Sequence, residues 1–445
     1  MLKRFTLENM FSFKASETLH LEAIKSCKER FEEATFPICA GDESVRALKV
    51  AAIYGANASG KTNLLHAFQL MVSFVRGSMS GAQTNARIPV SPFLHVEKWE
   101  GVQPPSKMEV VFVIDDTQYR YGFQATGSAI CEEWLYRKAL GRKYAREIEL
   151  FVRYQEEGRD VIVPSPAFER ADKSIAEKTR RNALFLSVAA AFAVPEATRI
   201  LRDFFGGISV YSADSDALNV ETSAMILENR HRDKILAFLT TTDSSIDRIE
   251  IKKRDVAREF NQMVGQSVAG MSVLEPEIFL KNPKGGSYSG SLPLERIVSR
   301  GTFKAFQLAG PIFDVLERGG LLVVDELDCK LHPIFVRQII RLFNSKDSNP
   351  NKAQLVFNTH DTNLLNDKVY NAVRDRDENL LRRDQVYFME RDADFASHLY
   401  SLIDFAKENG RVREDSSFAK DYLNGLYGSI PYIGRFWEVA DGAAK

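Results

Sequence analysis

Long apolar runs are missing from this sequence: no stretch approaches the roughly 18 consecutive apolar residues that a membrane helix needs. The opening MLKRFTLENMFSF also lacks an apolar core followed by a small-residue cleavage site. Both absences predict a cytoplasmic protein with no membrane partner. Cysteine is sparse. Cys27, Cys39, Cys131 and Cys329 are scattered and form no CxxC pair, which argues against a thiolate metal centre and fits reduced thiols. Charge of one sign is lacking too, because the formal net charge is −1. Any nucleic-acid contact would then need a local basic patch, since the chain has no global field. There is no internal repeat and no heptad pattern sustained long enough for a coiled coil.

The residues that are present read as an ordinary globular composition, 44% apolar and 27% charged. A length of 445 residues allows one large domain with an insertion, or two domains. KRFTLENMFSF alternates apolar and polar residues. KMEVVFVIDDTQYRYGFQA reads as two β-rich runs joined at Asp115 and Asp116, and EEWLYRKAL and EIELFVRY continue that character. From about Pro164 to Gly270 charged and apolar residues fall at helical spacing, which predicts a helical insertion. Within it, IEIKKRDVAREF (249–260) mixes charges and predicts a solvated helical face more than a nucleic-acid contact. After a Gly/Ser/Pro-rich connector at 280–295, RGGLLVVDELD and AQLVFNTHD return to buried strands. The expected organisation is residues 1–163, an insertion at 164–270, and residues 271–445.

GANASGKTNLL (55–65) satisfies G-x-x-x-x-G-K-[ST]. Glycines let backbone N–H groups close around phosphate oxygens, Lys61 reaches the β/γ-phosphates, and Thr62 can ligate Mg²⁺. VAAIY before it reads as a strand and TNLLHAFQLMVSF after it as a helix, whose N-terminus favours an anion. Nucleotide-contact candidates here are Gly55, Asn57, Ser59, Gly60, Lys61, Thr62 and Asn63. LLVVDELD ends a second apolar strand in two acids: Asp325 for Mg²⁺ and Glu326 as the base that polarises the attacking water. His360 closes a third strand, and carboxyl ends of neighbouring strands in an α/β sheet converge on the ligand. His360 is therefore a candidate for the γ-phosphate.

In this order the motifs resemble ABC-type ATPase heads related to RecF and SMC proteins. The resemblance is greatest to the prokaryotic AAA-type ATPases of the RloA/AbiL-like anti-phage defence group. It rests on LENMFSFK, GANASGKTN, SRGT, LLVVDELDCKLHP, NTHD and YLNGLYGSIPYI, spread over nearly the whole chain. The resemblance implies an α/β fold, an ABC-type P-loop ATPase head with an antiparallel β lobe and a helical insertion between Walker A and Walker B. It implies ATP and Mg²⁺ as cofactors, Asp325 and Glu326 as the strand carboxylates, Asp328 in the loop that crosses a dimer interface, and His360 as switch histidine. The ABC signature is replaced by VSRGT, which keeps Ser299 and Gly301 as candidates for a partner's γ-phosphate; a plain connector is the alternative. The implied function is the ATP-hydrolysing sensor or motor subunit of a defence system. It would work as an ATP-sandwich homodimer with a separately encoded effector, a nuclease or toxin. A RecF-like repair ATPase whose ATP state controls DNA binding is the alternative. Asp392 and Asp394 imitate a D-x-D metal pair, although a polar strand-end turn is the preferred reading.

Overall fold

The computed structural model describes residues 1–28, 30, 32–39, 41–79, 86–93, 104–142, 144–212, 215–255, 272–288, 290–366, 368–371, 376–409, 412 and 417–430. Its centre is a sheet of short apolar strands. β5 (Val50–Gly55), β11 (Ile208–Ser212), β15 (Leu321–Asp325), β16 (Gln354–Asn358), β19 (Val386–Arg391) and β20 (Ser397–Ser401) stand in the order β11-β15-β16-β5-β19-β20. Neighbours are parallel except for the β19–β20 hairpin. Every residue of β5, β15 and β16 is buried, as expected of parallel strands covered on both faces.

Alternation along these strands divides the core in two. Ala51, Ile53, Leu321, Val323 and Val356 join the apolar cluster on one face, whereas Val50, Ala52, Leu322, Val324, Leu355 and Phe357 join the cluster on the other. Helix α1 (Lys61–Gly77) covers the first face with Leu64, Leu65, Phe68, Met71, Val72 and Val75, a stripe at helical spacing. Truncating one of these, such as Leu65→Ala, would cost about 2–5 kcal/mol by the usual core deletion range.

The N-terminal third forms the antiparallel lobe. β1 (Leu2–Glu8), β2 (Glu17–His20), β6 (Ser106–Ile114), β7 (Thr117–Ala125), β8 (Ile130–Ala139), β9 (Ile148–Glu156) and β10 (Arg159–Pro164) stand in the order β10-β9-β8-β7-β6-β1-β2. The Asp115–Asp116 turn closes β6 on β7 as expected, with Asp115 at φ 49°. β3 (Thr35–Cys39) and β4 (Asp42–Leu48) make a separate hairpin.

Between phosphate loop and paired acids lie α2 (Lys173–Glu177), α3 (Phe185–Ala191), α4 (Pro195–Asp203), α5 (Ala217–Leu227) and α6 (Arg232–Thr242). The stretch is not helical throughout. β11 leaves it to pair with β15 in the core sheet. β12 (Ile246–Asp255) pairs with β13 (Ser272–Leu280), which pairs with β14 (Leu292–Pro293). The expectation of a helical face at 249–260 is therefore wrong for 249–255, and 256–260 lie outside the described residues. Ile249 is buried, and the charges form ion pairs across the hairpin: Lys252 with Glu277 (2.5 Å) and Arg254 with Glu275 (3.0 Å). Mixed charge at close spacing serves a strand pair as well as a helix.

The chain returns through α7 (Leu294–Ile297), α8 (Arg300–Arg318) and α9 (Pro333–Asn344). Helices α8 and α9 cover the second face, with Phe306, Leu308, Ile312, Ile339, Ile340 and Phe343 in its cluster. β17 (Lys368–Asn371), β18 (Arg376–Asn379), α10 (Leu402–Asn409) and α11 (Phe418–Leu423) complete the described elements. No helix among the described residues is long and apolar enough to cross a membrane.

Candidate nucleotide site

All four loop-bearing strand ends point the same way. β5, β15, β16 and β19 are parallel, so the loop after Gly55, the acid pair, His360 and Arg391 meet at their carboxyl ends. The loop, Glu326, His360 and Arg391 border a cleft of about 570 Å³, a volume ordinary for a small-molecule site.

The floor of the cleft is the turn from β5 into α1. Gly60 holds φ 110° at the helix N-cap, a left-handed conformation suited to glycine. A Cβ there would also run into the hydroxyls of Ser12 and Ser397. Those two serines bond each other at 2.7 Å, and Ser397 donates to the Ser59 carbonyl at 2.7 Å, so the back of the loop is braced. A Cβ on Gly55 would meet Ser59 Oγ at 2.7 Å and the Met389 carbonyl. Asn63 Nδ2 donates to Ser12 Oγ at 2.9 Å, which joins α1 to the segment after β1.

Lys61 folds back over the loop, its Nζ donating to the carbonyls of Gly55 (2.8 Å) and Ala56 (2.9 Å). Burial pushes its pKa down to about 8, against the pull of Asp325, Glu326 and Asp328. Thr62 Oγ1 donates to Asp325 Oδ1 at 3.2 Å across 263 residues of sequence. Asp325 is buried at the end of β15 and also accepts from Asn358 Nδ2. Asn358 accepts from the backbone N–H of Glu326 at its side-chain oxygen and from that of Leu327 at its carbonyl (3.2 Å). This bracket holds the bend in which Glu326 takes φ 56°, a strained value for a residue with a side chain. Glu326 and His360 both line the cleft. The backbone N–H of His360 donates to Asp328 Oδ2 at 3.2 Å. Burial, then Lys61, holds the His360 imidazole below its ordinary pKa, so it is neutral at neutral pH.

The structure thus brings together Asn57, Ser59, Gly60, Lys61, Thr62, Asn63, Glu326 and His360 along one cleft, with Gly55, Asp325 and Asp328 directly behind them. It does not bring Ser299 and Gly301 there. Ser299 caps α8, its Oγ accepting from Thr302 N at 3.1 Å, and Gly301 faces the Lys330 carbonyl. Asp392 and Asp394 form a turn: Asp392 Oδ1 accepts from the N–H of Asp394 (2.9 Å) and Ala396 (2.8 Å), and its Oδ2 meets His398 Nε2 at 2.9 Å. Sequence reasoning missed Phe11, Ser12 and Arg391 in the lining, and the Asn358 bracket. Arg391 was accessible to the rule that strand ends converge, since VYFMER is one more apolar strand ending in a charge.

Thr62 Oγ1 and an Asp325 carboxylate oxygen form a hard-oxygen corner that suits Mg²⁺ shared with phosphate oxygens. Ser59 Oγ is buried without a hydrogen-bond partner among the described residues, in a loop whose shape leaves room only for glycine at two positions. Donor set and cradle both fit a nucleotide with its metal.

Strand order, antiparallel lobe and phosphate cradle together define an ABC-type P-loop ATPase head. The chain belongs to the family described as "AAA domain, putative AbiEii toxin, Type IV TA system", whose model matches residues 50–366. That match does not separate out the RloA/AbiL-like group. No curated protein sequence matches the chain. Solved structures that align with it include the SmcHead bound to the C-winged helix domain of ScpA, at 14% identity over 90% of this chain and 97% of that chain, with a TM-score of 0.43. The SMC head domain from Thermotoga maritima aligns at 14% identity over 90% and 98%, with a TM-score of 0.36.

Proposed function

We propose that this chain binds ATP with Mg²⁺ in the cleft and hydrolyses it, as the sensor or motor subunit of an anti-phage defence system acting with a separately encoded effector. The observation that carries the catalytic reading is the contact of Thr62 with Asp325 beside a buried Lys61, with Glu326 and His360 on the same cleft wall. Lys61 exchanges its two loop carbonyls for β/γ-phosphate oxygens. Thr62 and Asp325 would hold the metal, which would neutralise phosphate charge when bound. Glu326 takes the proton of the attacking water, and neutral His360 donates to the γ-phosphate. Beyond Phe11 a second cleft of about 580 Å³, bordered by His66, Gln69 and Leu70, offers room for the base. Because the family description names a toxin and a TA system, a defence setting is favoured over DNA repair.

Ser299 and Gly301 lie outside their own cleft, and this supports their use in trans, completing a partner's site in a homodimer. Asp392 spends its oxygens on a turn, which favours an effector supplied by another chain. The test is ATP turnover of the purified protein: Lys61→Ala abolishes it while the melting curve stays unchanged. Unaltered turnover in that variant sinks the assignment. Mixing Lys61→Ala with Gly301→Asp subunits restores one composite site per heterodimer; no recovery despite subunit exchange removes the trans arrangement.

A further inference from the structure

A cleft of about 370 Å³ lies at the opposite end of the core sheet, where β5 and β16 begin. Arg46, Lys49, Lys346 and Lys352 line it, against a single carboxylate among the described residues, Glu32. That carboxylate is already used. Arg46 pairs with it at 3.2 Å, and its guanidinium also bonds Thr35 at Oγ1 (2.7 Å) and at the carbonyl (3.2 Å). The nearby Glu33 is likewise taken by Arg30 at 2.8 Å. Among the described residues the three lysines have no ion-paired acid. Lys49, only 2% exposed, donates to the Asn344 carbonyl at 2.7 Å, which uses one of its three N–H bonds. Lys352 Nζ reaches the Pro37 carbonyl at 3.4 Å, and Lys346 makes no ion pair among the described residues.

We propose that this cleft is a second ligand site, for a small molecule carrying a terminal phosphate or pyrophosphate group. Burying an ammonium among like charges is unfavourable unless an anion compensates it. The site shows the strain. The Lys49 pKa is pushed down to about 8, by burial first and then by the positive charges of Lys346, Arg46 and Arg30, with only Glu33 opposing. Three ammonium groups suit a dianion better than a single carboxylate. The concavity selects the source: Lys49 sits inside, so a terminal group can enter where a continuous nucleic-acid backbone cannot. The site is also separate from the nucleotide cleft, since the six residues of β5 put about 20 Å between Lys49 and the phosphate loop.

The test titrates inorganic pyrophosphate into the full-length Lys61→Ala protein by calorimetry, so that the phosphate loop is already disabled. Adding Lys49→Met, or separately Lys346→Glu with Lys352→Glu, weakens binding about tenfold or more, as expected for lost charged hydrogen bonds. The second variant alters exposed or half-exposed side chains and keeps the result readable if Lys49→Met folds poorly. Near pH 8.5 binding takes up protons, because the anion restores the charge on Lys49, and the uptake disappears with Lys49→Met. Pyrophosphate binding that ignores both variants, or no binding by protein with a normal melting curve, overturns the proposal. A 5′-phosphorylated oligonucleotide bound more tightly than its 5′-hydroxyl twin supports the terminal-phosphate reading. Equal, salt-steep binding of both that survives Lys49→Met overturns it in favour of a backbone contact.

Discussion

Two clusters of buried charge, one in the antiparallel lobe and one beside the phosphate loop, end in opposite states. In the lobe, Glu133 on β8 is fully buried and accepts from Tyr121 Oη (3.0 Å) and from the backbone N–H groups of Phe185 (2.7 Å) and Leu186 (3.0 Å). It faces Arg153 at 3.8 Å. Arg153 is itself bound to both oxygens of Asp160 and to the Ala183 carbonyl at 2.7 Å. Burial raises the Glu133 pKa, and Arg153 with the three hydrogen bonds pulls it back. At the cleft, by contrast, Lys61 has only carbonyls of its own loop, while Ser59 Oγ and Asp328 Oδ1 are buried without partners among the described residues. Burying charge does not mark a site. Unused hydrogen-bonding capacity beside a cleft does, because a closed network has nothing left to offer a ligand.

The comparison breaks most visibly at Glu326. Replacing it with glutamine is expected to lower ATP turnover by about 10²–10⁴-fold while nucleotide binding persists, since the amide cannot take a proton. Steady-state turnover alongside equilibrium ATP binding checks this; wild-type turnover would assign the base elsewhere. Glu133→Ala should do the reverse. Arg153 keeps Asp160, but the Tyr121 hydroxyl and the N–H groups of Phe185 and Leu186 lose their buried acceptor, which costs about 1–3 kcal/mol or more in stability, read in denaturant unfolding, with turnover per folded molecule preserved. A loss of activity greater than the loss of folded protein would show that the lobe cluster takes part in the reaction.

A smaller effect sharpens the contrast through pH. Burial lowers the Lys61 pKa to about 8, and bound phosphate raises it. Between those two values binding takes up a proton, so nucleotide affinity is flat below about pH 8 and falls above it, by at most about tenfold per unit. Lys61→Met should flatten the profile; an unchanged slope would place the titration on another group.

The smallest effect is expected at His398, whose ring bridges Asp392 (2.9 Å) and Glu17 (2.9 Å) near the surface. Its pKa is raised, first by the hydrogen bond to Asp392 and then by Glu17. A raised folded-state pKa means its contribution is full below the ordinary histidine value and is lost as pH rises through the raised one. His398→Asn should therefore destabilise by less than about 1 kcal/mol, since the pair is exposed and screened. The deficit at pH 6 should shrink by pH 9. A pH-independent deficit would make the ring a packing element only.

Much of the site was legible because its signals are local. Glycines around Lys61 announce a loop that needs φ > 0 and a close backbone approach, and apolar runs ending in Asp325, Glu326 or His360 announce strand ends. Charge along IEIKKRD was misread because sign alternation supports a helical face and a cross-strand ladder alike, and only the partner strand distinguishes them. Asn358 carried no signal either, since an asparagine after an apolar run is an ordinary strand terminus until a neighbouring strand brings Asp325 to it.

The sequence by itself determined the phosphate-loop fold and the elements that bear it, because backbone conformation at glycine and apolar periodicity are properties of neighbouring residues. Tertiary structure alone decided that β11 joins the core sheet, that Ser12 and Ser397 brace Gly60, and that Lys49 meets Lys346 and Lys352. Each depends on pairing or packing between segments far apart in the chain. Such contacts form only after the entropy of closing long loops is met by burial, and local periodicity holds no record of which partner is chosen.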